Sequence, residues 1–102
     1  MSKAKIAISV GDLNGVGFEI ALKSHEQVSK LCEPIYCSNS SLTLQAANLL
    51  QIDVPSSFTT SHVDGDFSIK AGEVSKDAGR YSYNSFMRAI ELCESKSADA
   101  LV

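Results

Sequence analysis

The sequence predicts an α/β fold of three layers, in which helices cover both faces of a mostly parallel sheet. Two observations support this prediction. Short β-branched apolar runs alternate with longer stretches of helical periodicity, and two such strand–helix units follow one another before residue 51. Parallel strands joined by helices require right-handed crossovers, which bring successive strands side by side in one sheet.

The first unit begins with the run Ile6–Val10, which has the Val and Ile content of a buried parallel strand. The loop Gly11–Gly17 follows, with three glycines and one acid. The spacing of apolar residues predicts a helix over 15–32, because one face of it carries Phe18, Ala21, Leu22, His25, Val28 and Cys32.

The second unit starts at Pro34, which ends the first helix and begins the strand Ile35–Cys37. A second helix is expected to run to about Leu50, capped by one of the polar residues Asn39, Ser40 and Ser41. The residues expected to point inward are Leu42, Ala46 and Leu49.

Order weakens between residues 52 and 76, which we expect to be the most irregular and mobile segment. A short edge strand is possible within 54–60, because proline is tolerated at the start of an edge strand. Phe67–Ile69 alternates as a strand does. No internal repeat is visible in the sequence.

Helical periodicity returns from Gly79, with one apolar face formed by Tyr83, Phe86, Met87, Ile90 and Cys93. The aromatic residues of this region, Tyr81, Tyr83 and Phe86, are assigned to the core or to an interface. Asp99–Val102 reads as the entry to another buried strand, and the sequence stops within it. Residues 1–102 are therefore interpreted as a single partial α/β domain, the N-terminal part of a longer protein.

Composition argues against several classes of protein. The net charge is −3 and Lys and Arg do not cluster, so nucleic acid is not an expected partner. No apolar run approaches the roughly 18–20 residues of a membrane span, so no membrane is expected either. The three cysteines form no CxxC pair, which favours reduced thiols and a cytoplasmic location.

The loop Gly11–Gly17 is the candidate ligand site. It lacks the glycine spacing of a Rossmann fingerprint and the lysine of a P-loop. It nevertheless follows a strand at the sheet edge where open α/β sheets bind ligands, and a helix that begins there can hold an anion. The candidate cofactor-binding or substrate-cleft residues are Gly11, Asp12, Gly15 and Gly17. For Asp12 the alternative is a bond to the backbone of its own turn, and both interpretations stay open.

No other residues form a catalytic or metal-binding pattern. His25 and His62 lack a second His or a carboxylate at metal-ligand spacing, so we expect no metal ligands in this segment. The sequence contains no Ser-His-Asp order and no nucleophile elbow, so no catalytic residues are assigned either. Glu19 is interpreted as a stabiliser of the first helical turn.

Two blocks resemble the 4-hydroxythreonine-4-phosphate dehydrogenase family. That family begins roughly I-A-I-T-P-G-D-P-A-G-I-G-P-E, and Ile6–Glu19 matches it at Gly11, Asp12, Gly15, Gly17 and Glu19. Val10, Leu13 and Phe18 stand where the family has prolines, so the loop is expected to be less rigid here. The second block, from Gly72 to Val102, resembles the family's G-x-x-S helix and D-A-L-V strand.

The resemblance implies an isocitrate/isopropylmalate-dehydrogenase-like fold, here incomplete, and an enzyme of pyridoxal phosphate biosynthesis. Such an enzyme oxidises 4-hydroxythreonine 4-phosphate, a small phosphorylated amino acid, with NAD or NADP, and the keto acid formed then loses CO₂. A divalent metal (Zn, Mg or Co) polarises the reacting oxygen. In the family the metal ligands and proton-transfer groups lie beyond the last residue of this chain, so the 102-residue chain alone is expected to be inactive. A homodimer is also implied.

Two alternatives remain open at this point. Isocitrate and isopropylmalate dehydrogenases share a related G-D-G-x-G-x-E loop, so the chain could be a fragment of such an enzyme. A stand-alone flavodoxin-like or receiver-like binding module is the other alternative. It is weakened by Asp12 being a single acid where phospho-receivers pair acids.

Overall fold

The computed structural model describes residues 3–70 and 72–102, so Ala71, within the segment predicted to be irregular, lies outside the described residues. The described residues form four strands and three helices, which alternate along the chain. In order these are β1 (Lys5–Ser9), α1 (Gly17–Val28), β2 (Glu33–Cys37), α2 (Ser40–Leu50), β3 (Thr59–Ser61), α3 (Lys76–Glu94) and β4 (Ala100–Leu101). The α/β fold predicted from the sequence is confirmed.

The four strands pair in the order β3-β2-β1-β4, and every pairing is parallel. Ala7 at the centre of β1 lies between Ile35 of β2 and Leu101 of β4. The chain thus moves from β1 outward to β3 and then returns to the other side of β1. Right-handed crossovers place α1 and α2 on one face and α3 on the other, which gives three layers.

The first helix is shorter than predicted. The sequence pattern suggested a helix over 15–32, whereas α1 spans Gly17–Val28. Beyond it the chain makes turns whose amides donate to earlier carbonyls, such as Cys32 N to Val28 O at 3.1 Å. These turns bring the chain into β2 at Glu33, one residue before Pro34.

The third helix buries a different face from the one predicted. Tyr83, Phe86 and Met87 are 64%, 45% and 37% exposed. Of the two assignments predicted for Tyr83 and Phe86, the core is therefore wrong, and an interface stays a prediction. The face that packs on the sheet consists mostly of small residues and one tyrosine: Ala78, Tyr81, Ser85, Ala89 and Leu92. Small side chains let the helix axis approach the strands closely, which an apolar count cannot reveal.

Two smaller predictions are also wrong. Phe67–Ile69 is not a strand, because Phe67 O and Ile69 N bond to the side-chain amide of Gln45 instead of to a neighbouring strand. Leu49, expected to point inward, is 60% exposed. The edge strand expected within 54–60 overlaps β3 at Thr59–Ser61, which lies beside β2 at one end of the strand order.

Aromatic packing fills the layer between the sheet and α1. The ring of Tyr36 from β2 stacks on Phe58 with centroids 3.9 Å apart, and Phe18 of α1 meets Phe58 edge-on at 6.0 Å. His25 packs against both rings of that stack. Burial of such rings removes a large apolar area from water and stabilises the packing of α1 on the sheet. Among the residues described, no helix has the length and apolar character needed to cross a membrane.

Candidate functional site

The loop between β1 and α1 is a tight turn closed by its own acid. Gly15 N–H donates to the carbonyl of Asp12 at 2.9 Å, which closes a four-residue turn over 12–15. Asn14 N–H donates to Oδ1 of Asp12 at 2.9 Å. Gly11 has a φ of +67°, a conformation that glycine adopts without strain. Asp12 therefore does bond to the backbone of its own turn, as one of the two interpretations held.

The four candidate site residues lie together at the surface. Gly11 is half-buried, whereas Asp12, Gly15 and Gly17 are exposed. A Cβ added at Gly11 would meet no atom within 4 Å, so the backbone there is open to the approach of a ligand. The second oxygen and remaining lone pairs of the Asp12 carboxylate can accept further hydrogen bonds, such as those of a hydroxyl or ammonium group.

The start of α1 borders this loop. Its N-cap residue is Val16, and no side chain caps the helix, so the first-turn N–H groups are not bonded by a capping side chain. Glu19 lies in that first turn, where its charge suits the helix dipole, and it pairs with Lys23 at 3.7 Å. The same negative charge weakens the site for a phosphate and favours neutral or cationic groups near Glu19.

The loop lies at the switch point of the sheet. Strand order reverses between β1 and β4, and the ends of these two strands are joined by the N–H and hydroxyl of Ser9, which donate to Val102 O at 2.9 and 3.1 Å. Open α/β sheets bind ligands outside the carboxyl ends of the strands at such a point. The glycine loop therefore lies at the edge of the sheet where this topology favours ligand binding.

Two cavities lie at opposite ends of the strands, one beside the glycine loop and one away from it. A small one of about 70 Å³ lies beside Leu13, Gly15 and Glu19 and is closed by residues of α2. A larger one of about 410 Å³ lies at the opposite end of the strands, where Lys5 and Glu33 begin β1 and β2. We place the candidate site at the loop, because the larger cavity lies away from the carboxyl ends where parallel sheets present ligands.

A buried polar network supports the carboxyl ends of β1 and β2 from beneath. Ser85 Oγ accepts from Val10 N at 3.0 Å and donates to Cys37 O at 2.6 Å. The Tyr81 hydroxyl accepts from Asn39 N at 3.0 Å and donates to Ser38 Oγ at 2.9 Å. These bonds satisfy the backbone groups of Val10, Cys37 and Asn39 at the carboxyl ends of β1 and β2. Side chains of α3 therefore fix the start of the glycine loop.

The buried titratable groups of this network stay neutral near pH 7. Burial raises the pKa of Tyr81 above its usual value of 10.0. Burial raises the pKa of the Cys37 thiol to about 11, with Arg88 lowering it and Cys93 adding to the increase. A thiol with such a pKa is a poor nucleophile, so the buried Cys37 fills core space.

The histidines make contacts that do not resemble a metal site. His25 bonds through Nδ1 to the Tyr36 hydroxyl and through Nε2 to Ser57 Oγ, at 2.8 and 2.9 Å. His62 Nε2 lies 2.9 Å from Oδ1 of Asp64 at the surface. Within 3–70 and 72–102, no three His, Cys, Asp or Glu residues are grouped to hold a metal ion.

Sequence reasoning missed one residue of the loop. Asn14 is only 4% exposed, and both ends of its side-chain amide bond to the segment that precedes α3. An asparagine between glycines is an ordinary turn residue by sequence, and nothing in the pattern indicates a partner more than fifty positions away. No sequence signal could have identified this contact.

The fold defines the chain as part of a three-layer α/β protein with a doubly wound parallel sheet. No family model matches it. The chain is 63% identical over 102 residues to a 4-hydroxythreonine-4-phosphate dehydrogenase of Sulfurimonas denitrificans and 51% identical over 102 residues to one of Campylobacter fetus. It spans about a third of the length of these curated relatives, 33% of each.

A solved structure shows the same fold. The crystal structure of a 4-hydroxythreonine-4-phosphate dehydrogenase from Burkholderia phymatum matches 99% of this chain with a TM-score of 0.80 at 24% identity, over 36% of its own length. The resemblance predicted from the sequence is confirmed. The chain matches about the N-terminal third of the relatives named above.

Proposed function

We propose that this chain is the N-terminal part of a 4-hydroxythreonine-4-phosphate dehydrogenase, and that its glycine loop forms one wall of the catalytic cleft. The observation that carries the proposal is the 63% identity, over all 102 residues of this chain, to a relative named 4-hydroxythreonine-4-phosphate dehydrogenase. The exposed loop at the switch point of the sheet supports it, because a cleft wall must be open to ligand. We refer below to the complete protein, meaning this chain together with the remaining two thirds that the relatives carry.

The proposed reaction oxidises the hydroxyl of 4-hydroxythreonine 4-phosphate with NAD or NADP, as a step of pyridoxal phosphate biosynthesis. A bound NAD or NADP would accept a hydride from the hydroxyl carbon, and the hydroxyl would release its proton. The keto acid then releases CO₂ and leaves an amino ketone phosphate. Residues of this chain contribute binding. The open backbone at Gly11 admits close approach, the exposed Gly15 and Gly17 border it, and Asp12 accepts hydrogen bonds from hydroxyl or ammonium groups.

The described residues do not by themselves fit a divalent metal, since no three suitable ligands are grouped in them. We therefore assign any Zn, Mg or Co ligands, and the groups that transfer protons, to the remaining two thirds of the complete protein. The same division predicts that the 102-residue chain alone turns over no substrate. A homodimeric, cytoplasmic enzyme is part of this proposal.

An assay of the complete protein tests the proposal. Reduction of NAD or NADP is followed by absorbance with three substrates supplied separately: 4-hydroxythreonine 4-phosphate, isopropylmalate and isocitrate. Turnover of the first alone, together with release of CO₂, is the expected result. Turnover of isopropylmalate or isocitrate instead would transfer the chain to the other decarboxylating dehydrogenases. Turnover by the 102-residue chain alone would overturn the assignment of the metal ligands and proton-transfer groups to the rest of the complete protein.

A further inference from the structure

The segment between β3 and α3 crosses the carboxyl edge of the sheet. We call residues 62–70 and 72–75 the strap. Its described residues contain no helix or strand, yet buried or half-buried backbone groups need hydrogen-bond partners. Three side-chain amides supply them: Asn39 donates to Val63 O and Gly65 O, Gln45 bonds Phe67 O and Ile69 N, and Asn14 bonds Lys70 N and Glu73 O.

Asn14 makes the contact that joins the strap to the glycine loop. Its Oδ1 accepts from Lys70 N at 2.8 Å and its Nδ2 donates to Glu73 O at 3.0 Å. Its own carbonyl accepts from Gly72 N at 2.7 Å. Three hydrogen bonds therefore converge on one residue that is 4% exposed. A buried amide with both ends satisfied holds a single orientation.

The same residue is tied to the candidate cleft. Asn14 N–H donates to Oδ1 of Asp12 at 2.9 Å, so the carboxylate, the buried amide and the strap form one connected unit. The loop 11–17 contains no proline and three glycines. Its backbone is intrinsically free, and a ligand would have to order it on binding unless something else already does.

We propose that Asn14 is a positioning residue, which orders the glycine loop by anchoring it to the strap and so presents Asp12 to the ligand in one place. This role rests on the function proposed above. Asn14 itself is buried and touches no ligand. It acts through Asp12 and the loop backbone, and its loss is expected to weaken binding more than the chemical step.

Two substitutions in the complete protein test the role. Asn14→Ala removes both side-chain bonds to the strap. Gln45→Ala is the matched control, because it also removes two amide bonds to the strap but makes none to the glycine loop. The readouts are hydrogen exchange of the strap and loop amides, and KM and kcat for 4-hydroxythreonine 4-phosphate. Asn14→Asp keeps the acceptor for Lys70 N and loses the donor to Glu73 O.

For Asn14→Ala we expect exchange of the Lys70 and Gly72 amides to accelerate by about tenfold or more. KM should rise by about fivefold with kcat within about twofold, and Asn14→Asp should fall between the two. For Gln45→Ala, exchange at Ile69 should accelerate while KM stays unchanged. If the two amides only stabilised the fold, both substitutions would lower the folded fraction. The apparent kcat would then fall in both variants and KM would not change.

The inference and the proposed function fail in different ways. Equal KM values for Asn14→Ala and the parent protein, with turnover intact, would overturn the positioning role alone. Unchanged exchange at Lys70 and Gly72 would also overturn it, whether or not the protein is active. Absence of dehydrogenase turnover in the parent protein would overturn the proposed function, and exchange of the loop 11–17 would then report whether Asn14 still orders it.

Discussion

Nδ1 of His25 lies 2.8 Å from the hydroxyl oxygen of Tyr36, so α1 and β2 are joined by a hydrogen bond inside the aromatic layer. Nε2 of the same ring reaches Ser57 Oγ at 2.9 Å, just before β3. Burial raises the pKa of Tyr36 to about 12, with Cys32 adding to the increase, so the phenol keeps its proton. The neutral His25 ring thereby joins α1, β2 and the loop that precedes β3.

This arrangement predicts that stability falls in mild acid. Burial lowers the pKa of His25 below 6.5, its value in the unfolded chain. Because the pKa of His25 is lower in the folded chain, the stability that its neutral ring contributes is fully present above pH 6.5. That stability is lost as the pH falls through the folded pKa. Urea denaturation of this chain at about pH 7.5 and about pH 5.5 should show the loss, and His25→Gln should reduce the difference between the two values. An equal pH dependence in both proteins would refute the assignment.

The hydroxyl of Tyr81 gives a second prediction. Tyr81→Phe leaves the buried Asn39 N–H without its acceptor and removes one of the hydrogen bonds of Ser38 Oγ, which keeps its bond to Thr43 Oγ1. We expect the free energy of unfolding to fall by about 1–3 kcal/mol. Tyr83→Phe is the control, because Tyr83 is exposed two positions away on the same helix and should change stability by less than about 0.5 kcal/mol. Similar losses for the two variants would contradict the network.

Two glycines near Tyr81 give a prediction with opposite signs. Gly65 has a φ of +156°, and a Cβ there would lie 2.6 Å from Cδ2 of Tyr81. Gly65→Ala should therefore destabilise the chain by about 1 kcal/mol or more. Gly79 lies within α3 with nothing within 4 Å of an added Cβ, so Gly79→Ala should stabilise it by about 0.5–1 kcal/mol. Thermal melting of the two variants checks both signs.

The order of elements could be predicted from sequence, and the choice of helix face could not. Short apolar runs and capping residues locate elements, because strands and helices have different periods. In α3, however, the stripe with Tyr83, Phe86 and Met87 is more apolar than the stripe that is buried. Ser85 belongs to the buried stripe because its hydroxyl bonds Val10 N and Cys37 O, a relation between three distant parts of the chain.

Only part of the candidate site could be predicted from the sequence. Gly11 and Asp12 follow a strand, and strand ends are where parallel sheets open to ligands, so their position follows from local pattern. The strap does not follow from any local pattern. The side-chain amide of Gln45 bonds Phe67 O and Ile69 N in place of a neighbouring strand, and that of Asn14 bonds Lys70 N. Such long-range amide contacts produce no periodic pattern in the sequence.

Hydrogen exchange of the glycine loop tests the central claim most directly. In the complete protein, exchange of the peptide covering residues 11–19 is measured with and without NAD or NADP and 4-hydroxythreonine 4-phosphate. The loop as a cleft wall predicts that exchange slows when both ligands are present. Unchanged exchange in this peptide, in a protein that turns the substrate over, would contradict the claim that the glycine loop faces the catalytic cleft.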